Sequence, residues 1–269
     1  VAIEANFKRL CKGKYEDHSA IGLIEYNWIE RCYNGGQCFL IPGIWNCYGY
    51  DYKSNYGKAL ASEDFIIPKM EGKEYYLNEI PKRKDIKIGY YHVKITSEHK
   101  DVKKVFSFSK HDVYASISLQ FAMKYKHEFD FKIELIKDDK PNAYIYNENE
   151  CVSGNYIFGK WFNTLSKLRS KYPKNILIKM LISQLWGNLC QTNTKYVTED
   201  ELNYNAKEYE NYEIFNHHLY QDGNSKYEML NKNKCYRYNL RIKAFLTAYC
   251  RNKIANQAIK SKDMENIIR

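Results

Sequence analysis

The chain has 269 residues, 44% hydrophobic and 28% charged, enough apolar material for the buried core of one large domain or two small ones. No apolar run approaches the roughly 18 residues that span a bilayer, and the strongest short run, Ile176–Ile182, is interrupted by Lys179, so the sequence reads as that of a soluble protein. The net charge of +10 suits a polyanionic partner.

The opening VAIEANFKRL has no basic segment followed by an apolar one, which argues against a secretory leader. A first residue of Val suggests a fragment or a processed product. Residues 1–32 are mixed, with a short helix expected over Ile21–Cys32. Tyr33–Gly36 (YNGG) is a turn signal, because paired glycines permit positive φ. Gln37–Leu40 and Trp45–Lys53 read as strands, and Tyr56–Ser62 as a helix. Further strands are expected over 64–105, clearest in Ile86–Thr96. His111–Lys124 reads as a helix with Val113, Ile117, Phe121 and Met123 inward, and Glu128–Ile145 returns to strands.

Phe158, Trp161, Phe162, Leu165 and Leu168 follow a helical period within Tyr156–Tyr172, and Pro173 ends that helix. Asn175–Leu189 restarts as a second helix, antiparallel to the first across a very short turn. Residues 191–236 are polar and turn-rich, and read as a hairpin excursion. Tyr238–Lys260 is a long helix, with Leu240, Phe245, Ala248, Tyr249 and Ala255 buried. Strands mixed with segregated helices make the fold class α+β.

Eight scattered cysteines (Cys11, Cys32, Cys38, Cys47, Cys151, Cys190, Cys235 and Cys250) include no CxxC pair, so free thiols in a reducing, intracellular compartment are expected rather than a zinc site. The 26 tyrosines often adjoin lysines, as in Lys124-Tyr125-Lys126 and Lys171-Tyr172, a pattern in which rings stack bases and cations track phosphates.

Asp51-Tyr52-Lys53-Ser54-Asn55-Tyr56 carries the chemistry. A strand delivering Asp51 at its end, followed by a helix N-terminus, would supply a metal-binding carboxylate and amides for triphosphate oxygens. Tyr56 would lie under the incoming sugar. Taken alone, DxxSxY reads equally as a capped surface helix. On the helix that begins near Asn175, Lys179, Ser183 and Trp186 share a face at i, i+4 and i+7.

These segments resemble motifs of the protein-primed family-B DNA polymerases. Asp51, Ser54 and Tyr56 match motif A, DxxSLYP, with Asn55 in place of Leu and Gly57 in place of Pro. Tyr33-Asn34-Gly35-Gly36 is similar to the YxGG element that precedes motif A. Lys179 through Gly187 resembles motif B, KxxxNSxYG, with Ser183 and Gln184 in place of Asn-Ser and Trp186 in place of Tyr. The resemblance implies that Asp51 is the catalytic carboxylate and a metal ligand. It assigns nucleotide contacts to Ser54, Tyr56, Lys179, Ser183, Trp186 and Lys167, with Lys171 as competitor for the second triphosphate lysine. DNA contacts fall to Tyr33, Gly35, Gly36 and Gly187.

The same resemblance implies a partial palm of antiparallel sheet and helices, a two-helix fingers and β-rich insertions. The expected boundaries are 1–63 for the linker, YxGG and motif A, 64–152 for palm with a first insertion, and 153–190 for fingers. Residues 191–236 form a second insertion, and 237–269 a palm helix leading towards motif C. Motif C, the DTD-containing strand, is not found, and Asp263 and Glu265 read as surface charges. The expectation is half of a two-metal Mg²⁺ or Mn²⁺ site, with DNA template-primer, dNTPs and a terminal-protein primer as partners. On this reading the chain alone does not polymerise. The alternative is a non-catalytic nucleic-acid-binding module from a decayed mobile element. The polymerase reading places Asp51 and Lys179 in one cleft.

Overall fold

A computed structural model describes residues 2–11, 14, 18–49, 51–191, 193–220, 223–234 and 240–261. Tyr50, Cys235, Tyr238, Asp263 and Glu265 lie outside the described residues. The chain opens with helices α1 (Ala2–Cys11) and α2 (Leu23–Cys32), followed by short α3 (Asn55–Leu60). Strands β1 (Ile66–Pro68), β2 (Lys73–Tyr75) and β3 (Gly89–Thr96) come next, with a 3₁₀ turn at Arg83–Asp85 before β3. Then come α4 (Val102–Val105), β4 (Val113–Ala115), α5 (Ser116–Lys124), β5 (Lys132–Leu135), β6 (Ala143–Ile145) and β7 (Cys151–Ser153).

The long pair α6 (Gly154–Lys171) and α7 (Ile176–Leu189) precedes β8 (Thr194–Val197), α8 (Glu199–Tyr204), β9 (Tyr212–Leu219) and β10 (Ser225–Asn231). Helix α9 (Ile242–Ser261) ends the described chain. The fold is α+β, as the sequence predicts, and its sheets are antiparallel.

Local chemistry explains the helix limits. The Ser153 hydroxyl accepts from the Tyr156 amide to start α6, and the Asn175 side chain accepts from the Ile178 amide to start α7. Pro173 separates them. Thr198 and Glu201 cap α8 reciprocally.

The central sheet runs β2-β6-β3-β4, with β5 also on β3. Alternation along β3 sends Tyr90 into one core and Tyr91, Val93 and Ile95 into another. The Tyr90 core joins α1, α2, α3, α6, α7 and α9, with Tyr90 stacked on Phe245 of α9 at 5.1 Å. The opposite core is aromatic, built around Phe106, Phe121 and Phe131. A second, three-stranded sheet, β8-β10-β9, occupies the excursion expected at 191–236, with β9 and β10 as its hairpin.

Arg241, just before α9, is 0% exposed and Glu25 of α2 is 2% exposed. Their side chains pair at 2.5 and 2.7 Å. The guanidinium also donates to the carbonyls of Ser19, Ala20 and Lys69 and to the Ser19 hydroxyl, and Tyr146 donates to Glu25 at 2.8 Å. Burial opposes the charge on Arg241, but the Glu25 carboxylate outweighs it and holds the guanidinium above its usual pKa. One charged group thus ties α2 and two loops to the start of α9.

Several expectations need correction. Neither Gln37–Leu40 nor the described part of Trp45–Lys53 is a strand: the segment is irregular, and no described strand pairs with it. An extended run becomes a strand only when a neighbour accepts its hydrogen bonds. Val113 lies in β4, so the helix expected over His111–Lys124 starts only at Ser116. Leu168 is 40% exposed despite its inward spacing, because the last turns of α6 project beyond the core. Gly35 and Gly36 do not take positive φ; among the described glycines only Gly43 and Gly223 do. Helix α1, which the sequence left as a mixed region, packs on the long pair through Phe7, 5.1 Å from Phe158 and 6.1 Å from Trp161.

Candidate active site

Three chain segments meet at Tyr56. Ser54 precedes α3 in the left-handed region, φ 56°, and its hydroxyl makes no capping bond. This conformation is uncommon for a residue with a side chain and turns the irregular segment sharply into the helix. Gly57 then allows α3 to dock: a Cβ there would lie 2.8 Å from Phe162 of α6 and 2.9 Å from Ile182 of α7. A proline at this position would bring its ring into the same space, which accounts for the departure from the motif A pattern. Asn55, in place of the motif's Leu, leaves its buried Oδ1 without a hydrogen-bond partner among the described residues.

Docking brings the Tyr56 ring to 5.2 Å from Trp186 of α7, tilted by 30°. An aromatic pair at this spacing contributes about 0.5–1.5 kcal/mol beyond its burial. Burial raises the Tyr56 phenol above its usual pKa, with Cys250 and Tyr33 adding to the shift and Arg251 opposing it. The phenol is therefore a protonated donor at neutral pH.

The YNGG element is held by residues far away in sequence. Arg251 of α9 donates through one nitrogen to the carbonyls of Asn34 and Gly35. Burial lowers the Arg251 pKa from its ordinary value, while neighbours including Cys32, Tyr56 and Tyr33 counter that fall. Lys243, two turns earlier on α9, sits over the Tyr33 ring at 4.3 Å and pairs with Glu30 at 2.6 Å. Asn34 donates to the Ser107 hydroxyl at 2.7 Å and to the Phe108 carbonyl at 3.0 Å, and Gln37 to the Lys103 carbonyl at 2.5 Å. A Cβ on Gly35 or Gly36 would meet nothing within 4 Å, so the loop presents open backbone on that side.

The remaining candidates face solvent. Asp51, Lys167, Lys171, Lys179, Ser183 and Gly187 are exposed. Ser183 donates to the Lys179 carbonyl at 2.9 Å, and the space beside Gly187 is open. Lys171 lies 5.4 Å from the Tyr172 ring. The structure thus joins Tyr33, Tyr56 and Trp186 through direct contact or shared neighbours. It leaves Asp51, Lys179 and Lys167 outside that packing, and the two cavities beside α9 described below include neither Asp51 nor Lys179.

Sequence reasoning missed Arg251 and Lys243. The only signal was their spacing of eight, which puts both on one face of a helix already expected there. Among the described residues, no group of three or more His, Cys, Asp or Glu side chains converges to hold a metal ion. The described residues do not by themselves form a two-metal centre.

A family model described as DNA polymerase type B, organellar and viral, matches residues 5–264. No curated protein and no solved structure matches the chain.

Proposed function

Because the chain belongs to the organellar and viral type B DNA polymerases, we propose that it forms the palm and fingers surfaces on which a protein-primed member holds template, primer and incoming nucleotide. The family is one of DNA-directed DNA polymerases, which take a DNA template-primer, deoxynucleoside triphosphates and divalent metal ions. The observation that carries the proposal is the Tyr56–Trp186 contact at 5.2 Å, which joins the motif A segment to the motif B helix.

In this reading α7 projects Lys179 and Ser183 towards the triphosphate. The cation neutralises developing charge, with Lys167 of α6 as the second phosphate ligand and Lys171 as its competitor. Trp186 packs beside the nascent pair and holds the Tyr56 ring, which meets the sugar and excludes a 2′-hydroxyl. The uncapped Ser54 hydroxyl remains available to a phosphate oxygen. Asp51 contributes one carboxylate at the reacting atoms. Further carboxylates are required to complete a two-metal centre. The open faces of Gly35, Gly36 and Gly187 admit the DNA backbone, with Tyr33 beside it.

Protein priming is supported by the YNGG element clamped next to motif A, and by β-rich segments at both expected insertions. On this reading residues 64–150 meet a terminal protein and residues 191–236 support retention of DNA.

Primer extension with a DNA-binding control tests the proposal. The 269-residue chain alone is expected to bind template-primer without extending it, and robust extension by it would refute the need for further carboxylates. In an extension-competent form, Asp51→Asn should abolish turnover and leave DNA affinity within about twofold, because the carboxylate acts on the reaction and not on DNA binding. An equal loss of both would remove Asp51 from the reaction.

A further inference from the structure

A surface that the polymerase reading does not use lies between α9, α5 and the 3₁₀ turn at Arg83–Asp85. It is an open groove of about 550 Å³ whose basic residues are Arg83, Lys124, Lys253 and Lys260. Lys253 stands 5.5 Å from the Tyr52 ring, and Lys124 lies 4.6 Å from the ring of Tyr125. Among the described residues, none of these four cations has an ion-pair partner and Asp64 is the only carboxylate lining the groove.

The groove opens onto a second cavity of about 330 Å³, with Asp64, Ile117, Gln120 and Tyr249 lining both. This inner cavity is mostly apolar, walled by Phe65, Ile86, Ile88 and Phe245, and Glu148 is its second carboxylate. Both volumes fall in the range of roughly 300–1,000 Å³ typical of small-molecule sites.

Gln120 lines both cavities, and Asn252 and Asn256 line the groove. Gln120 spends one amide hydrogen on the Ile86 carbonyl at 3.3 Å, and Asn252 one on the Ile117 carbonyl at 2.8 Å. Each is thereby oriented and keeps further donor and acceptor capacity for a ligand. Asn256 accepts from Tyr125 at 2.6 Å, which fixes its amide in the same way.

An apolar chamber flanked by oriented amides and opening onto unpaired cations matches a ligand with a flat, hydrogen-bonding ring and a phosphate. We propose that this composite cavity is a nucleotide-binding site distinct from the catalytic one, with the base among Phe65, Ile117, Phe245 and Tyr249 and the phosphates against Lys124, Lys253, Lys260 and Arg83. Asp64 and Glu148 sit on the base side, where a carboxylate accepts from an amino group or a sugar hydroxyl. The ligand is a free nucleotide or the terminal nucleotide of a strand, since both present the same base and phosphate.

The test is equilibrium binding of fluorescently labelled dATP to the full chain in EDTA, which disfavours the metal-dependent triphosphate site. Saturable binding should weaken at least tenfold in the double variant Lys253→Glu/Lys260→Glu. It should stay within twofold in Asp51→Asn and in Lys179→Ala. Ile117→Trp, which fills the inner chamber and keeps the charges, should also block binding, with the fold of each variant checked by circular dichroism. Displacement by unlabelled dATP alone assigns the site to free nucleotide, and equal displacement by a short 5′-phosphorylated oligonucleotide assigns it to a strand end. No saturable binding, binding indifferent to both groove variants, or binding lost in Lys179→Ala would overturn the proposal.

Discussion

The YNGG loop and the segment that follows it differ sharply, although they are neighbours in the chain. Residues 33–37 are fastened by Arg251, Lys243, Asn34 and Gln37 to α9, to α4 and to the loop after it. Residues 38–49 include Leu40, Ile44, Trp45 and Tyr48 with their side chains in solvent and no strand partner. The same division runs through the candidate site. Tyr33, Tyr56, Gly57 and Trp186 are used by the chain itself, whereas Asp51, Lys167 and Lys179 are not. The first group should therefore respond to mutation through stability, and the second through substrate.

The largest effect belongs to the buried pair. Arg241→Ala leaves the Glu25 carboxyl buried without its cation, and should cost about 3–5 kcal/mol in a urea titration. A loss below about 1 kcal/mol would mean the pair does not organise the fastened region. Gly57→Val forces side-chain atoms against Phe162 and Ile182, and should cost about 1–3 kcal/mol by overpacking, read from the same titration. Asn55→Leu should move the other way, stabilising by roughly 1 kcal/mol, because it removes a buried acceptor with no partner.

At the bottom of the scale, Ile44→Ser should change stability by less than about 0.5 kcal/mol, since the side chain is already in water. Thiol labelling sharpens the contrast without mutation. Exposed Cys38 and Cys47 should react with a maleimide at pH 8. Cys11, Cys32 and Cys250 are buried, and burial pushes each thiol up to about 12. They remain protonated until the pH approaches that value, so they should label only after unfolding.

Much of the fastened half was legible in the sequence. Phe158, Trp161 and Leu165 gave α6 its period, Pro173 its end, and Phe245 and Ala248 marked α9. Motif order placed Asp51 and Lys179 in one cleft, but no pattern in the sequence pointed to the Tyr56–Trp186 contact. What could not be read depends on distance along the chain. Arg251 reaches carbonyls 216 and 217 residues away, and Arg241 a carboxylate 216 away, and such pairings leave no periodicity. The strand expected before Asp51 failed for a related reason: alternation describes a segment's preference, but a sheet also needs a partner. Gly57, where loss of the motif's proline was expected to loosen the turn, proved to be the contact through which α3 docks.

In the proposed function, α6 and α7 take the incoming nucleotide through Lys179. Trypsin cleavage after Lys174, in the exposed turn between these helices, tests it most directly. With template-primer, dNTP and Mg²⁺ the account predicts cleavage slowed several-fold in the native chain and unaltered in Lys179→Ala. The Lys253→Glu/Lys260→Glu variant should be protected like the native chain. Equal cleavage with and without dNTP, or protection that survives in Lys179→Ala, would contradict the account.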